Sequence, residues 1–248
     1  MDDSKAPLLP QTEHGSETHE SVSRPKKRLN CFHAAAFAFV AGLFLFGAHS
    51  HCSRPHHSDE RRLETKVPLE IHIMSKCPDT RDCLQKLVVP TMEEVSDKVD
   101  FRISYIGTAN NKDEGVHCKH GQTECLGNIL ELCAAHEYPD PKHYLGFTMC
   151  LSRNYQQIPK KELAEDCALE HGISFDRLNN CMSRDDGAFG MDLLRNSVKR
   201  SADLHATTSC TVRLNGKTRC VYNGGKFEDC EGGSKPEDLV RDINKLYK

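Results

Sequence analysis

The sequence predicts an α/β fold with a helical insertion in its middle, preceded by a single N-terminal membrane helix. Three observations support this fold class. Residues 67–106 show a strand–helix–strand pattern, residues 115–200 show only helical spacing, and the chain ends in a strand–strand–helix pattern over residues 209–246. One long apolar run, residues 31–48, predicts the membrane helix.

The first predicted unit begins with alternation of apolar and polar side chains over residues 67–74, which is typical of a strand. Apolar residues three or four apart over residues 84–95 predict a helix, which Pro90 is expected to bend or end. Residues 99–106 alternate again and predict a second strand. Cys77 therefore lies at the turn between the first strand and the helix.

The predicted insertion, residues 115–200, contains no clear strand. Apolar spacing predicts five short helices, at residues 129–135, 144–151, 160–169, 175–182 and 191–198. Five cysteines lie on or beside these helices: Cys125, Cys133, Cys150, Cys167 and Cys181. We therefore expect disulfides to hold this segment together.

The last predicted unit contains strands at residues 209–214 and 218–222. They flank Asn215-Gly216, which is the strongest short signal for a hairpin turn. Pro236 is well placed to open a final helix. The whole order, β-α-β, helices, β-β-α, is that of a thioredoxin-like fold with a helical insertion.

Composition excludes several classes of protein. The chain has 248 residues with 33 basic and 36 acidic side chains, so it has no excess of positive charge with which to bind nucleic acid. A single apolar run excludes a protein with several membrane spans. No metal, nucleotide or flavin motif is visible, so we predict no cofactor and expect any chemistry to depend on cysteine.

The N-terminal region predicts a type II membrane topology. Residues 31–48 carry no charge and follow a basic cluster, which places the preceding side in the cytosol. Thirty mostly polar residues precede the run, which favours an uncleaved signal anchor over a cleaved leader and a secreted product. We thus expect a disordered cytosolic tail at 1–30, a juxtamembrane stalk at 49–66 and a lumenal domain at 67–248.

Twelve of the 13 cysteines follow the apolar run. An even, high number of cysteines in a translocated domain predicts several disulfides in an oxidising compartment. The sequence does not determine which cysteines pair.

One cysteine-rich segment carries a family signature. Residues 118–133 fit the pattern C-x-H-G-x-x-E-C-x-x-N-x-x-x-x-C at all of its fixed positions, which are Cys118, His120, Gly121, Glu124, Cys125, Asn128 and Cys133. The segment resembles the signature of the gamma-interferon-inducible lysosomal thiol reductase (GILT) family. The resemblance implies a thioredoxin-like fold, a disulfide-reducing activity and an endolysosomal or vacuolar lumen.

The signature has two interpretations. As a zinc site it would use His117, Cys118, His120, Cys125 and Cys133. These spacings lack the C-x-x-C pairs that place two thiolates on one zinc ion, and disulfides are favoured in an oxidising compartment. We therefore expect a structural role, in which the signature cysteines attach the insertion to the thioredoxin core.

Cys77 is the predicted nucleophile. A cysteine between a strand and a helix lies beside unpaired backbone N–H groups and the positive end of the helix dipole, which stabilise a thiolate. The thiolate would attack a substrate disulfide and form a mixed disulfide. The alternative is that Cys77 is one more structural disulfide partner.

The chain departs from the family at this turn. The resemblance implies a C-x-x-C motif, whose second cysteine resolves the mixed disulfide, but Thr80 stands at that position. Cys83 is six residues from Cys77, which on a regular helix is about 240° around the axis and about 9 Å along it. A disulfide needs Cα atoms within about 7 Å, so only a distorted helix would allow Cys83 to pair with Cys77.

Cys210 is the first candidate for the resolving cysteine. Alignment of Asn215-Gly216-Lys217 with the Asn-Gly-Lys of GILT sequences places Cys210 where thioredoxin-like proteins have a cis-proline, opposite the active cysteine. It could resolve the mixed disulfide or pair permanently with Cys77. A structural disulfide to Cys220 or Cys230 is an equally good interpretation.

Two functions follow from these observations. The first is a membrane-anchored thiol–disulfide oxidoreductase with disulfide-bonded proteins as substrates and a small thiol, or another reductant, as electron donor. The second is a non-catalytic, thiol-dependent binding module that kept the fold. A disulfide-rich structural protein without a site is disfavoured by the position of Cys77.

Overall fold

The structure, a computed structural model, describes residues 65–110 and 115–248. The predicted cytosolic tail, the apolar segment 31–48 and nearly all of the stalk lie outside the described residues. Within the described part, no helix has the length and apolarity that crossing a bilayer requires.

The described residues form the predicted strands and helices in the predicted order, with three further short strands. The strands are β1 (Val67–Ile73), β2 (Val99–Tyr105), β3 (Thr108–Ala109), β4 (Val116–His117), β5 (Thr211–Leu214), β6 (Lys217–Asn223) and β7 (Lys226–Glu228). The helices are α1 (Pro78–Cys83), α2 (Val89–Val95), α3 (Gln122–Glu137), α4 (Pro141–Arg153), α5 (Lys161–Glu170), α6 (Phe175–Ser183), α7 (Ala188–Asp203) and α8 (Pro236–Leu246).

The main sheet has the strand order β2-β1-β5-β6-β7. Strand β1 is parallel to β2 and antiparallel to β5, and β5 forms an antiparallel hairpin with β6. Parallel β1 and β2 are connected through α1 and α2, as a parallel pair requires a crossover. This arrangement confirms the predicted thioredoxin-like fold.

Helices α3 to α7 form the predicted helical insertion. Helix α7 packs on β2, and α3 packs on α4, α6 and α7. The segment is not purely helical, because β4 pairs with β3 in a separate two-stranded sheet. Strand β7 was also not predicted. Two or three residues are too few for an alternating pattern to be recognised.

The hairpin between β5 and β6 confirms the turn prediction. Asn215 and Gly216 have φ angles of 47° and 78°. Positive φ at both central residues is the type I′ conformation that matches the twist of the flanking strands.

Pro90 does not end its helix. Residues Leu84–Val88 form a π-helical turn between α1 and α2, in which the backbone N–H of Val89 donates to the oxygen of Leu84. Proline lacks an N–H and its ring crowds the preceding turn, and a widened turn accommodates both effects. The helical backbone thus continues from Pro78 to the end of α2.

An acidic side chain is buried where the insertion meets the sheet. Glu131 on α3 is 2% exposed and accepts a hydrogen bond of 2.6 Å from the hydroxyl of Tyr105 on β2. Burial raises the pKa of Glu131 from 4.5 to about 8. Burial lowers the pKa of the His72 side chain from 6.5 to about 4, because it disfavours the charged imidazolium.

We expect the free energy of unfolding to fall as the pH rises from about 6.5 to about 8. Unfolded Glu131 is ionised there, whereas folded Glu131 keeps its proton, so the unfolded state binds fewer protons. Between 4.5 and 6.5, unfolded His72 takes up a proton that folded His72 does not, and the two trends offset each other. The loss above 6.5 is roughly 2 kcal/mol. Urea unfolding at several pH values measures it, and Glu131→Gln should remove the slope; a slope that persists in this variant would contradict the assignment.

Candidate active site around Cys77

Cys77 occupies the predicted strand–helix turn. It is the residue before α1, with extended φ and ψ of −94° and 128°, and Pro78 is the first helical residue. The Cys77 N–H donates to the Met74 oxygen at 3.1 Å, and the Cys77 oxygen accepts from the N–H of Thr80 at 3.1 Å. The side chain packs with Met74 and Ile106 in a small apolar cluster. Within the described residues, Cys77 is the cysteine that forms no disulfide.

The turn is held from both sides. Before Cys77, the ammonium group of Lys76 donates to the backbone oxygen of Ile158 at 2.6 Å. After it, the carboxylate of Asp79 accepts from the N–H groups of Gly224 and Gly225, at 2.9 and 3.1 Å. These contacts connect the turn to the insertion and to the β6–β7 hairpin, so they restrict where the Cys77 sulfur can lie.

The other described cysteines form five disulfides. The pairs are Cys83–Cys210, Cys118–Cys125, Cys133–Cys181, Cys150–Cys167 and Cys220–Cys230.

Cys210 is paired neither with Cys77 nor with Cys220 or Cys230, so each of the three pairings considered from the sequence is wrong. Its partner is Cys83, with Cα atoms 6.2 Å apart, and both side chains are fully buried. As its position six residues into the helix implied, Cys83 faces away from Cys77, and it faces the start of β5. Both candidate resolving sulfurs are therefore bonded to each other.

Thr80 stands where the resemblance to the GILT family implies a second cysteine, and it is 1% exposed. Its hydroxyl donates to the Met74 oxygen at 2.9 Å and accepts from the hydroxyl of Ser209 at 2.7 Å. The Ser209 oxygen in turn accepts from the Met74 N–H at 3.0 Å. Ser209 precedes Cys210 through a cis peptide bond. Thr80 thus connects α1, the end of β1 and the segment before β5 by hydrogen bonds, and it has no redox chemistry.

The family signature surrounds the start of α3. Gly121 precedes the helix with φ of 86°, a conformation that favours glycine. Glu124 is fully buried, and its carboxylate accepts from the backbone N–H of His120 at 3.1 Å and contacts the Nδ1 atom of the same residue. A carboxylate at the N-terminal turn also suits the helix dipole.

The signature contacts the Cys77 turn through Asn128. Its side-chain oxygen accepts from the N–H of Ser75 at 3.0 Å, and its amide donates to the Cys118 sulfur at 3.7 Å. The Ser75 hydroxyl donates to the backbone oxygen of Glu124 at 3.2 Å. Asn128 and Ser75 are both buried, so these bonds replace water that neither group can reach.

The expected attachment of the insertion by its signature cysteines is therefore corrected. Cys118–Cys125 closes the segment before and within α3, and Cys133–Cys181 joins α3 to α6. Both disulfides lie inside the insertion. The contact with the core turn comes instead from hydrogen bonds of α3 to Ser75.

The structure also bears on metal binding. The signature thiols proposed as zinc ligands are in disulfides, and a thiolate is what zinc requires. Among the described residues, Cys150, Glu170 and His171 place three ligand-type atoms within 4.8 Å of one another. The Cys150 sulfur is bonded to Cys167, so this group does not offer a thiolate either.

Comparison with known proteins agrees with the signature. Residues 68–171 match the family model of gamma interferon inducible lysosomal thiol reductase (GILT). This part of the chain is similar to the GILT family. A goldfish (Carassius auratus) gamma-interferon-inducible lysosomal thiol reductase is 34% identical over 71 residues, covering 27% of this chain and 28% of that protein.

Two further relatives come from an insect and a plant. GILT-like protein 1 of Drosophila melanogaster is 26% identical over 139 residues, covering 50% of this chain and 56% of that protein. A gamma-interferon-responsive lysosomal thiol protein of Arabidopsis thaliana is 32% identical over 92 residues, covering 35% of this chain and 38% of that protein. The matched segments thus span less than two thirds of these relatives.

Two solved structures, a thiol-disulfide exchange protein and a DsbA, are similar to this chain over most of their length. The alpha-DsbA2 protein of Wolbachia pipientis superposes with a TM-score of 0.48 at 13% identity, covering 73% of this chain and 82% of that chain. Reduced DsbA of Mycobacterium tuberculosis gives a TM-score of 0.48 at 15% identity, covering 78% of this chain and 86% of that chain. The fold itself is established by the strand order described above.

Proposed function

We propose that this protein is a member of the GILT family and a thiol–disulfide oxidoreductase that reduces protein disulfides through the Cys77 thiolate. The observation that carries the proposal is the state of the cysteines: Cys77 lies at a strand–helix turn and forms no disulfide, whereas the other described cysteines are all paired. A thiolate before a helix is stabilised by the helix dipole.

The reaction proceeds by three thiol–disulfide exchanges. The Cys77 thiolate attacks one sulfur of a substrate disulfide, forms a mixed disulfide and releases the other substrate sulfur as a thiolate. A small external thiol then attacks the Cys77 sulfur and releases the second substrate thiolate. A second small thiol attacks the sulfur of the first, which yields an oxidised small disulfide and regenerates Cys77. Two thiols supply the two electrons.

Resolution of the Cys77 mixed disulfide by an external thiol fits the observed state of the cysteines best. Thr80 cannot form a disulfide, and Cys210 and Cys83, the first and second candidates for resolution, are bonded to each other and fully buried. We assign the Cys83–Cys210 disulfide a structural role.

An endolysosomal or vacuolar lumen is the proposed location. Five disulfides suit an oxidising, translocated environment. The names of the goldfish and plant relatives include the word lysosomal. We also propose that residues 31–48 anchor the protein in the membrane as a type II protein. The alternative is secretion after cleavage, and the N-terminal sequence of the mature protein would decide between the two.

Replacing Cys77 with serine tests the function. In an assay that follows reduction of a disulfide-bonded protein by a small thiol, Cys77→Ser is expected to lower the rate to that of the thiol alone. Cys52→Ser, which removes a stalk cysteine, serves as the matched control and should keep the full rate. Unchanged activity in Cys77→Ser would contradict the proposal.

A thiol-dependent binding module is the second candidate. It is favoured by Thr80, because a site without a second thiol can hold a partner as a lasting mixed disulfide. The two functions differ in one result: a binding module forms the adduct on Cys77 but keeps it when a small thiol is added, whereas the oxidoreductase releases it.

A further inference from the structure

A groove of about 420 Å³ is lined in part by Met74 and Ile106, the apolar residues that form a cluster with Cys77. We call it the Lys119 groove, and its walls include Met74, Ile106, Thr108, His117, Lys119 and Thr207. Met74 and Ile106 are also the two residues that pack against Cys77. The groove and the nucleophile therefore share an apolar wall.

The charge on the groove walls has one sign. Lys119 and His117 are its ionisable side chains, and both are exposed. Lys119 forms no ion pair or hydrogen bond with a described residue, whereas lysines elsewhere, such as Lys86, pair with a carboxylate. An unpaired cation next to an apolar wall suits a ligand with a carboxylate and a short apolar part.

We infer that the Lys119 groove binds the small thiol that resolves the Cys77 mixed disulfide, and that Lys119 recognises a carboxylate on that thiol. The inference rests on the proposed function, because it identifies the chemical class of the electron donor. With its carboxylate held by Lys119, a cysteine-like or glutathione-like molecule would lie in the groove whose apolar wall, Met74 and Ile106, also packs with Cys77.

The size of the groove suits a small donor. Cys77 is 9% exposed, so an attacking sulfur must approach along a limited opening. A volume of about 420 Å³ holds an amino acid or a short peptide. The electrons must come from outside the described chain, because Cys83 and Cys210 are bonded to each other.

The test uses the full chain with Cys31→Ser and Cys52→Ser, so that Cys77 is its unpaired cysteine. Reaction with 2,2′-dipyridyl disulfide places an uncharged thiopyridyl group on Cys77 and releases one thiopyridone. N-acetylcysteine or its neutral amide is then added, and release of the second thiopyridone gives the rate. Each rate is divided by that of the same thiol with a thiopyridyl cysteine peptide, which corrects for intrinsic reactivity.

We expect the corrected rate to favour the carboxylate thiol over its amide about threefold, the scale of an exposed ion pair. Lys119→Ala should remove this preference, Lys119→Arg should keep it, and Lys119→Glu should reverse it. The matched control is Lys217→Ala, an exposed lysine in the β5–β6 hairpin that does not line the groove. High salt should weaken the preference in the unmodified protein.

Two results would overturn the inference while the proposed function stands: equal corrected rates for the two thiols, or a preference that survives in Lys119→Ala. Failure of Cys77 to form the thiopyridyl adduct would overturn the proposed function, and this inference with it.

Discussion

Thr80→Cys is expected to shorten the lifetime of the Cys77 mixed disulfide at low external thiol by about 100-fold, because attack from the same chain corresponds to a millimolar or higher effective concentration. Residue 80 lies one helical turn after Cys77, and its N–H bonds to the Cys77 oxygen at 3.1 Å. Residues three apart on a helix face each other. Quenched-flow trapping followed by intact mass spectrometry measures the lifetime.

Thr80→Ser is the control for this change. It keeps the hydroxyl that bonds to Met74 and Ser209, and it adds no thiol. The mixed disulfide should last as long as in the unmodified protein. If Thr80→Cys leaves the lifetime unchanged, another group already resolves the adduct. The single-thiol mechanism, in which Cys77 is the only thiol of the chain that reacts, is then wrong.

Removal of the Cys83–Cys210 disulfide is expected to lower the stability of the fold and to leave the reaction of Cys77 unchanged. The bond closes a loop with a sequence separation of 127 residues, so the double change Cys83→Ala and Cys210→Ala should lower the free energy of unfolding by about 2–5 kcal/mol. Both side chains are fully buried, and alanine leaves no unpaired thiol behind. Urea unfolding measures the loss.

A shorter loop provides the comparison. Cys150 and Cys167 are separated by 17 residues, so Cys150→Ala with Cys167→Ala should cost about 2 kcal/mol less, by the logarithmic dependence on loop length. In both double variants, the lifetime of the Cys77 mixed disulfide should be unchanged. A longer lifetime only in the Cys83/Cys210 variant would show that this pair takes part in resolution.

The sequence was most informative where side-chain spacing repeats. Alternation predicted β1 and β2, and Asn215-Gly216 predicted the β5–β6 hairpin, because these signals lie within a few neighbouring residues. Strand β7 has three residues and was not predicted. Pro90 was expected to bend or end a helix because a proline removes one backbone hydrogen bond, which is a local effect. The π-helical turn before Pro90 depends on the conformation of the whole helix, and the sequence pattern did not predict it.

Contacts between distant segments left no signal in the sequence. The turn that contains Cys77 was predicted, since a strand followed by a helix defines it. The bond between Thr80 and Ser209 joins residues 129 positions apart, and that between Ser75 and Asn128 joins residues 53 apart. Neither Ser75 nor Ser209 was singled out, because a buried hydroxyl is recognised only once its partner is beside it.

Intact mass spectrometry of the native full-length protein, incubated with a disulfide-linked peptide, tests the central claim most directly. We predict one covalently attached peptide, mapped to Cys77, that persists without added thiol and is released when a small thiol is supplied. Absence of the adduct, its location on another cysteine, or its release at the same rate without added thiol would contradict the single-thiol mechanism.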